Sequence, residues 1–157
     1  MRLFQSRTIT PIDSELHDES SFFSAFSKDF KAAKREVVIE SPFMTKRRAS
    51  ELAPLCRRII QKGVSVSIYT RNPSDHDTGL REQALIAMDI LKTAGVKVIS
   101  CNDMRHRKLA IIDGQILWEG SLNMLSHSNS REMMRRSVSE KLCDEMFQFT
   151  GIKKTIR

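Results

Sequence analysis

Four side chains close together in the sequence, His106, Lys108, Ser121 and Asn123, are of the types that act on a phosphoryl group. An imidazole can attack phosphorus or take a proton. An ammonium, a hydroxyl and an amide can donate to the oxygens that gather charge during the attack. The chain that carries them, HRKLAIIDGQILWEGSLN over 106–123, has a pattern that brings them together. Two apolar, β-branched runs, 109–112 and 116–118, flank Asp113-Gly114. Such a dipeptide marks a hairpin, because glycine tolerates the positive φ of a tight turn. Side chains two apart on a strand share a face. His106 and Lys108 are therefore expected to project together from the first strand, with Ser121 and Asn123 converging from just past the second. Asp113 has the opposite phase, so its expected work is to fix the turn or a neighbouring backbone.

The order His106-x-Lys108-x4-Asp113-x6-Gly120-Ser121-x-Asn123 resembles the signature of the phospholipase D superfamily, with every fixed position filled and both spacers intact. A lone HxK would mean little; six fixed residues at set spacings are a specific match. The resemblance implies an α/β domain and phosphodiester chemistry through a phosphohistidine, with Asp113 and Gly120 structural. It also implies a site made from two HxK motifs. This chain has one, so a homodimer with two hairpins meeting at a two-fold axis is the simplest remedy. One His106 would attack and the other would protonate the leaving oxygen and then activate water. Related single-motif nucleases carry a Glu after the Gly-Ser-x-Asn that hydrogen-bonds the catalytic His and sets its tautomer. Glu132 resembles it, although an ordinary strand-surface Glu fits the sequence equally well. Arg107, Arg131 and His127 flank the motif as candidate substrate contacts; for His127 a plain surface role is the simpler reading.

The elements that must position these residues follow from apolar periodicity. At 157 residues the chain is long enough for one domain with a real core. Residues 1–20 read as a polar arm with a short strand near Leu3–Phe4, 21–150 as the catalytic domain and 151–157 as a basic tail. Ser20 or Ser21 can cap a helix to about Lys34 whose stripe of Phe22, Phe23, Phe26 and Phe30 is expected in the core. Glu36–Glu40 reads as a buried strand. Thr45 can cap a second helix to about Lys62, with Leu52, Leu55, Cys56, Ile59 and Ile60 inward and Arg47, Arg48, Arg57 and Arg58 mostly off that face. Strands 64–69 and 96–99 enclose a helix from about Leu80 to Thr93, with Leu80, Ala84, Leu85, Met88 and Leu91 inward. Residues 132–138 read as a returning strand and 139–149 as a closing helix with Leu142, Cys143, Met146, Phe147 and Phe149 apolar. The strand–helix rhythm predicts an α/β fold with a mixed, mostly parallel sheet flanked by helices on both faces.

Composition narrows the function classes. The net charge of +7 suits a polyanionic partner such as nucleic acid or an anionic membrane surface, and equally plain solubility. Cys56, Cys101 and Cys143 are odd in number and form no CxxC, as expected of reduced core thiols in a cytoplasmic protein. No run approaches the length of a membrane span, and stable membrane insertion is not expected. Asp75-His76-Asp77 reads as a solvated turn rather than a metal site; no metal and no cofactor is expected. The signature leaves the substrate open. DNA hydrolysis is the first reading, with RNA also admissible. A phospholipid phosphodiesterase or phosphatidyltransferase and a DNA-binding module of a larger DNA-processing system are the alternatives.

Overall fold

Val37, Val38 and Ile39 are apolar at consecutive positions, so both faces of their strand need cover, and both have it. In a computed structural model that describes residues 11–126 and 129–152, the strands are β1 (Asp13–Asp18), β2 (Glu36–Glu40), β3 (Ser65–Arg71), β4 (Lys97–Cys101), β5 (Leu109–Ile112), β6 (Ile116–Gly120) and β7 (Met133–Val138). The helices are α1 (Phe22–Ala32), α2 (Lys46–Ile60), α3 (Thr78–Thr93) and α4 (Glu140–Thr150). Val37 and Ile39 pack with α1, α2 and α3 on one face, and Val38 packs with Leu109, Ile111, Leu117 and the α4 residues Cys143 and Phe147 on the other. The strand expected near Leu3–Phe4, His127 and most of the basic tail lie outside the described residues.

The sheet runs β1-β7-β6-β5-β2-β3-β4. It is mixed, as expected, but not mostly parallel: β2–β3 and β3–β4 are parallel and the other four pairings are antiparallel. The strand–helix rhythm describes only the half from β2 to β4; from β5 onward the chain returns by hairpin and by edge addition, which the rhythm does not contain. Residues 13–18, read as part of a polar arm, are the edge strand β1, paired with β7 from Asp13↔Val138 to Asp18↔Met133. Every β1 side chain except His17 is exposed, so backbone pairing and not apolar burial places it.

Local signals fared well at several ends. Thr45 caps α2 through Arg48 N–H, and Ser139 caps α4 through Leu142 N–H. The phenylalanine stripe is core: Phe22, Phe26 and Phe30 are buried, and the first two meet Trp118 edge-on. Other readings need correction. Ser21 sits at the α1 cap position, but its hydroxyl donates to Asp18 and caps nothing. Arg48 is buried, lying 4.0 Å above the Phe23 ring and bonded to Glu51, because its long stem covers apolar surface. Leu80, Leu85 and Phe149 are exposed. The face α3 buries is set by contact with α2 and centres on Ala84, Ala87, Met88 and Leu91. Cys101 is half-buried at the end of β4, unlike Cys56 and Cys143 in the core.

The hairpin turn has the form its sequence requires. Asp113 and Gly114 both take positive φ, 56° and 65°, and Gln115 N–H closes on the Ile112 carbonyl at 3.0 Å. Asp113 accepts the backbone N–H groups of Lys34 (2.9 Å), Arg35 (2.7 Å) and Glu36 (3.0 Å). One carboxylate thereby ties the turn to the chain entering β2. Asp113→Ala leaves three donors without that acceptor and should lower unfolding free energy by about 3 kcal/mol, since a hydrogen bond to a charged group contributes about 1.5–3 kcal/mol. Chemical denaturation of wild type and variant measures this; a loss under about 1 kcal/mol would refute the role.

Candidate active site

His106 and Lys108 lie in extended chain just ahead of β5, which begins at Leu109 and not at the histidine. The hairpin ladder still reaches them, through Gly120 N–H to the Lys108 carbonyl at 3.4 Å. The two side chains share a side as alternation demands. Lys108 Nζ is 2.8 Å from His106 Nδ1 and donates to the His106 carbonyl at 2.7 Å. An ammonium can only donate, so in a neutral ring Nδ1 accepts this bond and the ring proton sits on Nε2. Loss of water, then the Lys108 and Arg71 charges, hold the imidazole below the ordinary histidine range. Lys108 is likewise lowered, first by loss of water and then by Arg71, with the Glu132 carboxylate acting in the other direction.

Arg105 and Arg107 turn the opposite way, onto Glu40, a carboxylate with 0% exposure at the end of β2. Arg107 grips it with two N–H groups at 3.0 and 3.2 Å, and Arg105 approaches to 3.6 Å. The guanidinium of Arg107, read from sequence as a substrate contact, is thus engaged inside the protein.

Ser121 and Glu132 meet: the Ser121 hydroxyl donates to one Glu132 oxygen and accepts Met133 N–H at 3.0 Å, while Ser130 donates to the other Glu132 oxygen at 2.6 Å. Those two hydroxyls, ahead of the Lys108 charge, keep the carboxyl below its usual range. Glu132 therefore bonds to serines here and not to the His106 ring, so the sequence expectation of a tautomer-setting bond is not met in this chain alone. Glu19, from the turn after β1, accepts Glu132 N–H at 3.0 Å and the exposed Arg131 guanidinium at 2.8 Å. Gly120 is needed because a Cβ there would sit 2.0 Å from the Met133 carbonyl oxygen. Asn123 is half-buried with its Oδ1 buried and without a hydrogen-bond partner. It and the Lys108 ammonium are donors whose present partners, if any, are the protein's own.

Sequence reasoning missed four neighbours. Phe43, from the chain leaving β2, stands edge-on to the His106 ring, centroids 5.8 Å apart. His76 packs on the same phenylalanine at 5.2 Å and is 7% exposed, so the solvated turn read for Asp75-His76-Asp77 holds for the two exposed aspartates but not for the histidine. Asp77 instead caps α3 through Leu80 N–H. Arg71, the last residue of β3, holds its guanidinium 5.5 Å from the Phe43 ring centre. Glu40 completes the set. None of the four left a readable signal: Glu40, at the end of β2, reads from sequence no differently from Glu36 at its start.

A family model described as cardiolipin synthase, PLD-like domain, matches residues 26–149. A search of curated protein sequences finds no match. Among solved structures the chain is similar to Nuc from Salmonella typhimurium, a phospholipase D family member, with TM-score 0.73 and 14% identity over 88% of this chain and 91% of that one. It is also similar to NucT from Helicobacter pylori, with TM-score 0.69 and 18% identity over 88% and 93%. TrmBL2, an archaeal chromatin protein, aligns with TM-score 0.60 and 10% identity over 88% of this chain and 50% of that one. At these identities the likeness to each structure is one of fold.

The site's electrostatics give an expected titration. The lowered His106 keeps its neutral form at pH values where an ordinary histidine, with a pKa of about 6.5, would already be protonated. NMR titration of the imidazole should place His106 below that value, and Lys108→Met, by removing a neighbouring positive charge, should move it upward. A wild-type midpoint at or above the ordinary value, or a downward move in the variant, would contradict this reading.

Proposed function

The chain belongs to the phospholipase D superfamily, and from that premise we propose that it is a metal-independent nuclease that hydrolyses DNA through a phosphohistidine in a site shared by two subunits. The observation that carries the reading is the His106–Lys108 pair, an imidazole held neutral beside an ammonium within the complete motif. Nε2 is the nitrogen left open by the Lys108 contact. It can attack only when the ring proton has moved to Nδ1, so Lys108 must leave Nδ1 first. Phosphate oxygens give the ammonium a better partner and release it.

The reaction then balances in two steps. His106 Nε2 forms a bond to phosphorus, the P–O bond to the leaving group breaks, and the partner subunit's protonated His106 gives that oxygen its proton. The partner subunit's His106, now neutral, takes a proton from water, whose oxygen attacks phosphorus and breaks the P–N bond. Lys108 and Asn123 from both subunits hold the non-bridging oxygens, where transition-state charge resides. The single motif is the argument for a dimer. Exposed apolar side chains beside Lys108, Met133 at 54% and Phe149 at 77%, line a groove that a second copy can cover. The net charge of +7 and the fold shared with TrmBL2, whose structure shows a mode of DNA binding, favour DNA as the polyanion. Among the described residues no helix is long and apolar enough to cross a membrane.

Cleavage of a DNA substrate should persist in excess EDTA and should vanish in His106→Ala, which should remain folded because the ring serves chemistry and not the core. Activity lost with EDTA and restored by magnesium would end the metal-free mechanism. Turnover of phospholipid micelles or of RNA, with DNA untouched, would reassign the substrate.

The shared site has its own test. A purified heterodimer of wild-type and His106→Ala chains should retain under about 5% of the wild-type rate, because a loss of about 1.4 kcal/mol of barrier lowering already costs tenfold. Half the wild-type rate would show that each chain works alone.

A further inference from the structure

Resting on the nuclease reading, we propose that Arg71 and Phe43 form a second phosphate subsite, which binds the phosphodiester adjoining the one at His106. Arg71 ends β3 in the parallel part of the sheet, where the carboxyl ends of strands open onto the site. Its guanidinium lies 5.5 Å from the centre of the Phe43 ring, which stands nearly perpendicular to the His106 ring at 5.8 Å. The phenyl ring is therefore the spacer between the attacking imidazole and the arginine. Lys108 and Asn123 already supply donors for the reacting phosphate, so Arg71 is placed for its neighbour.

The partners of Arg71 support an external anion. Arg107 holds Glu40, Arg105 holds Asp103, Arg131 holds Glu19, Arg136 holds Asp29 and Arg48 holds Glu51. Among the described residues no carboxylate lies within ion-pair distance of Arg71. Its one hydrogen bond is Nη2 to the Met104 carbonyl at 3.1 Å, and its Nε is buried without a partner. Met104, two residues before His106, has φ of 52°, a left-handed conformation that non-glycine residues seldom adopt. That carbonyl links Arg71 to the His106 segment. Below, His76 Nε2 is also buried and unpartnered against Phe43. Arg71 depresses the protonation of His106, Lys108 and His76 alike. Arg71, with no carboxylate paired to it, repels these neighbours, and a phosphodiester bound at its guanidinium relieves that repulsion. A polynucleotide supplies adjoining diesters; a phospholipid with a single phosphodiester does not.

The test is equilibrium binding in the His106→Ala background, where cleavage cannot confuse it. A fluorescein-labelled single-stranded DNA oligonucleotide is titrated with the parent, with Arg71→Gln and with Lys141→Gln, a charge-matched change on the exposed surface of α4. Circular dichroism checks folding, and Arg71→Lys, which keeps the charge, serves as a second variant. Arg71→Gln should weaken binding about tenfold and reduce the log–log salt slope by about one, as the loss of one phosphate contact does. Lys141→Gln should change affinity less than about threefold, and Arg71→Lys should recover part of the loss. Competition by a thymidine trinucleotide, with two diesters, over a dinucleotide, with one, should lose its advantage in Arg71→Gln. Equal binding by parent and Arg71→Gln, equal losses in the two Gln variants, or an undiminished trinucleotide advantage would overturn the subsite. A parent protein that does not bind DNA at all would instead overturn the nuclease reading on which it rests.

Discussion

A carboxylate with no solvent exposure cannot stand alone, and the placement of His106 follows from how Glu40 is neutralised. Breaking a buried ion pair by removing one partner costs about 3–5 kcal/mol, because a charge is left uncompensated. Two cations prevent this, the residues on either side of His106: Arg107, with two hydrogen bonds to Glu40, and Arg105, which is hydrogen-bonded to Asp103 and stands 3.6 Å from Glu40. Extended chain sends alternate side chains to opposite sides. Once both arginines are drawn to Glu40, His106 and Lys108 have the other side. The ion pairs thus act on orientation: they fix which way a short stretch outside the regular ladder must face.

The other constraints in the motif act at backbone level. Asp113 gathers three consecutive amides at the entrance to β2, so the turn between β5 and β6 cannot drift from the strand that carries Glu40. Gly120 lets β6 pass the Met133 carbonyl at a distance no side chain permits, which brings Ser121 to the start of β7 and hence to Glu132. Both residues are in the signature and both act on the backbone. The signature therefore combines an acceptor and a gap that set geometry with the His106, Lys108 and Asn123 to which the proposed chemistry is assigned.

That division explains what was legible in the chain. The hairpin, the Thr45 cap and the phenylalanine stripe each follow from residues within a few positions of one another, where backbone preference and periodicity operate. Glu40 with Arg107 spans 67 residues of sequence, and Trp118 with Asp29 spans 89. Nothing local distinguishes such partners from solvated charges. β1 was hidden for another reason: its side chains carry almost no burial pattern, and only the free edge of β7 makes it a strand. For α3 the pattern was broad enough to admit several faces, and packing against α2 chose one that leaves Leu80 and Leu85 outside. His76 was misread because an aspartate on either side looks like a wet loop, whereas one aspartate caps a helix and the ring packs on Phe43.

The resting geometry of Lys108 is itself informative. An ammonium beside a lowered histidine and an arginine, with Glu132 already engaged by two serines, has poor choices of partner. It takes Nδ1 and the carbonyl of His106, the acceptors within reach. This arrangement satisfies the ammonium while holding the ring in the tautomer whose outer nitrogen carries a proton and cannot attack. An arriving phosphate changes the balance on both counts, since its oxygens are stronger acceptors for Lys108 and its charge offsets the repulsion that depresses His106. In the proposed reaction, binding of the phosphate and activation of the nucleophile are then one event: the lysine that occupies Nδ1 at rest goes on to hold the phosphate.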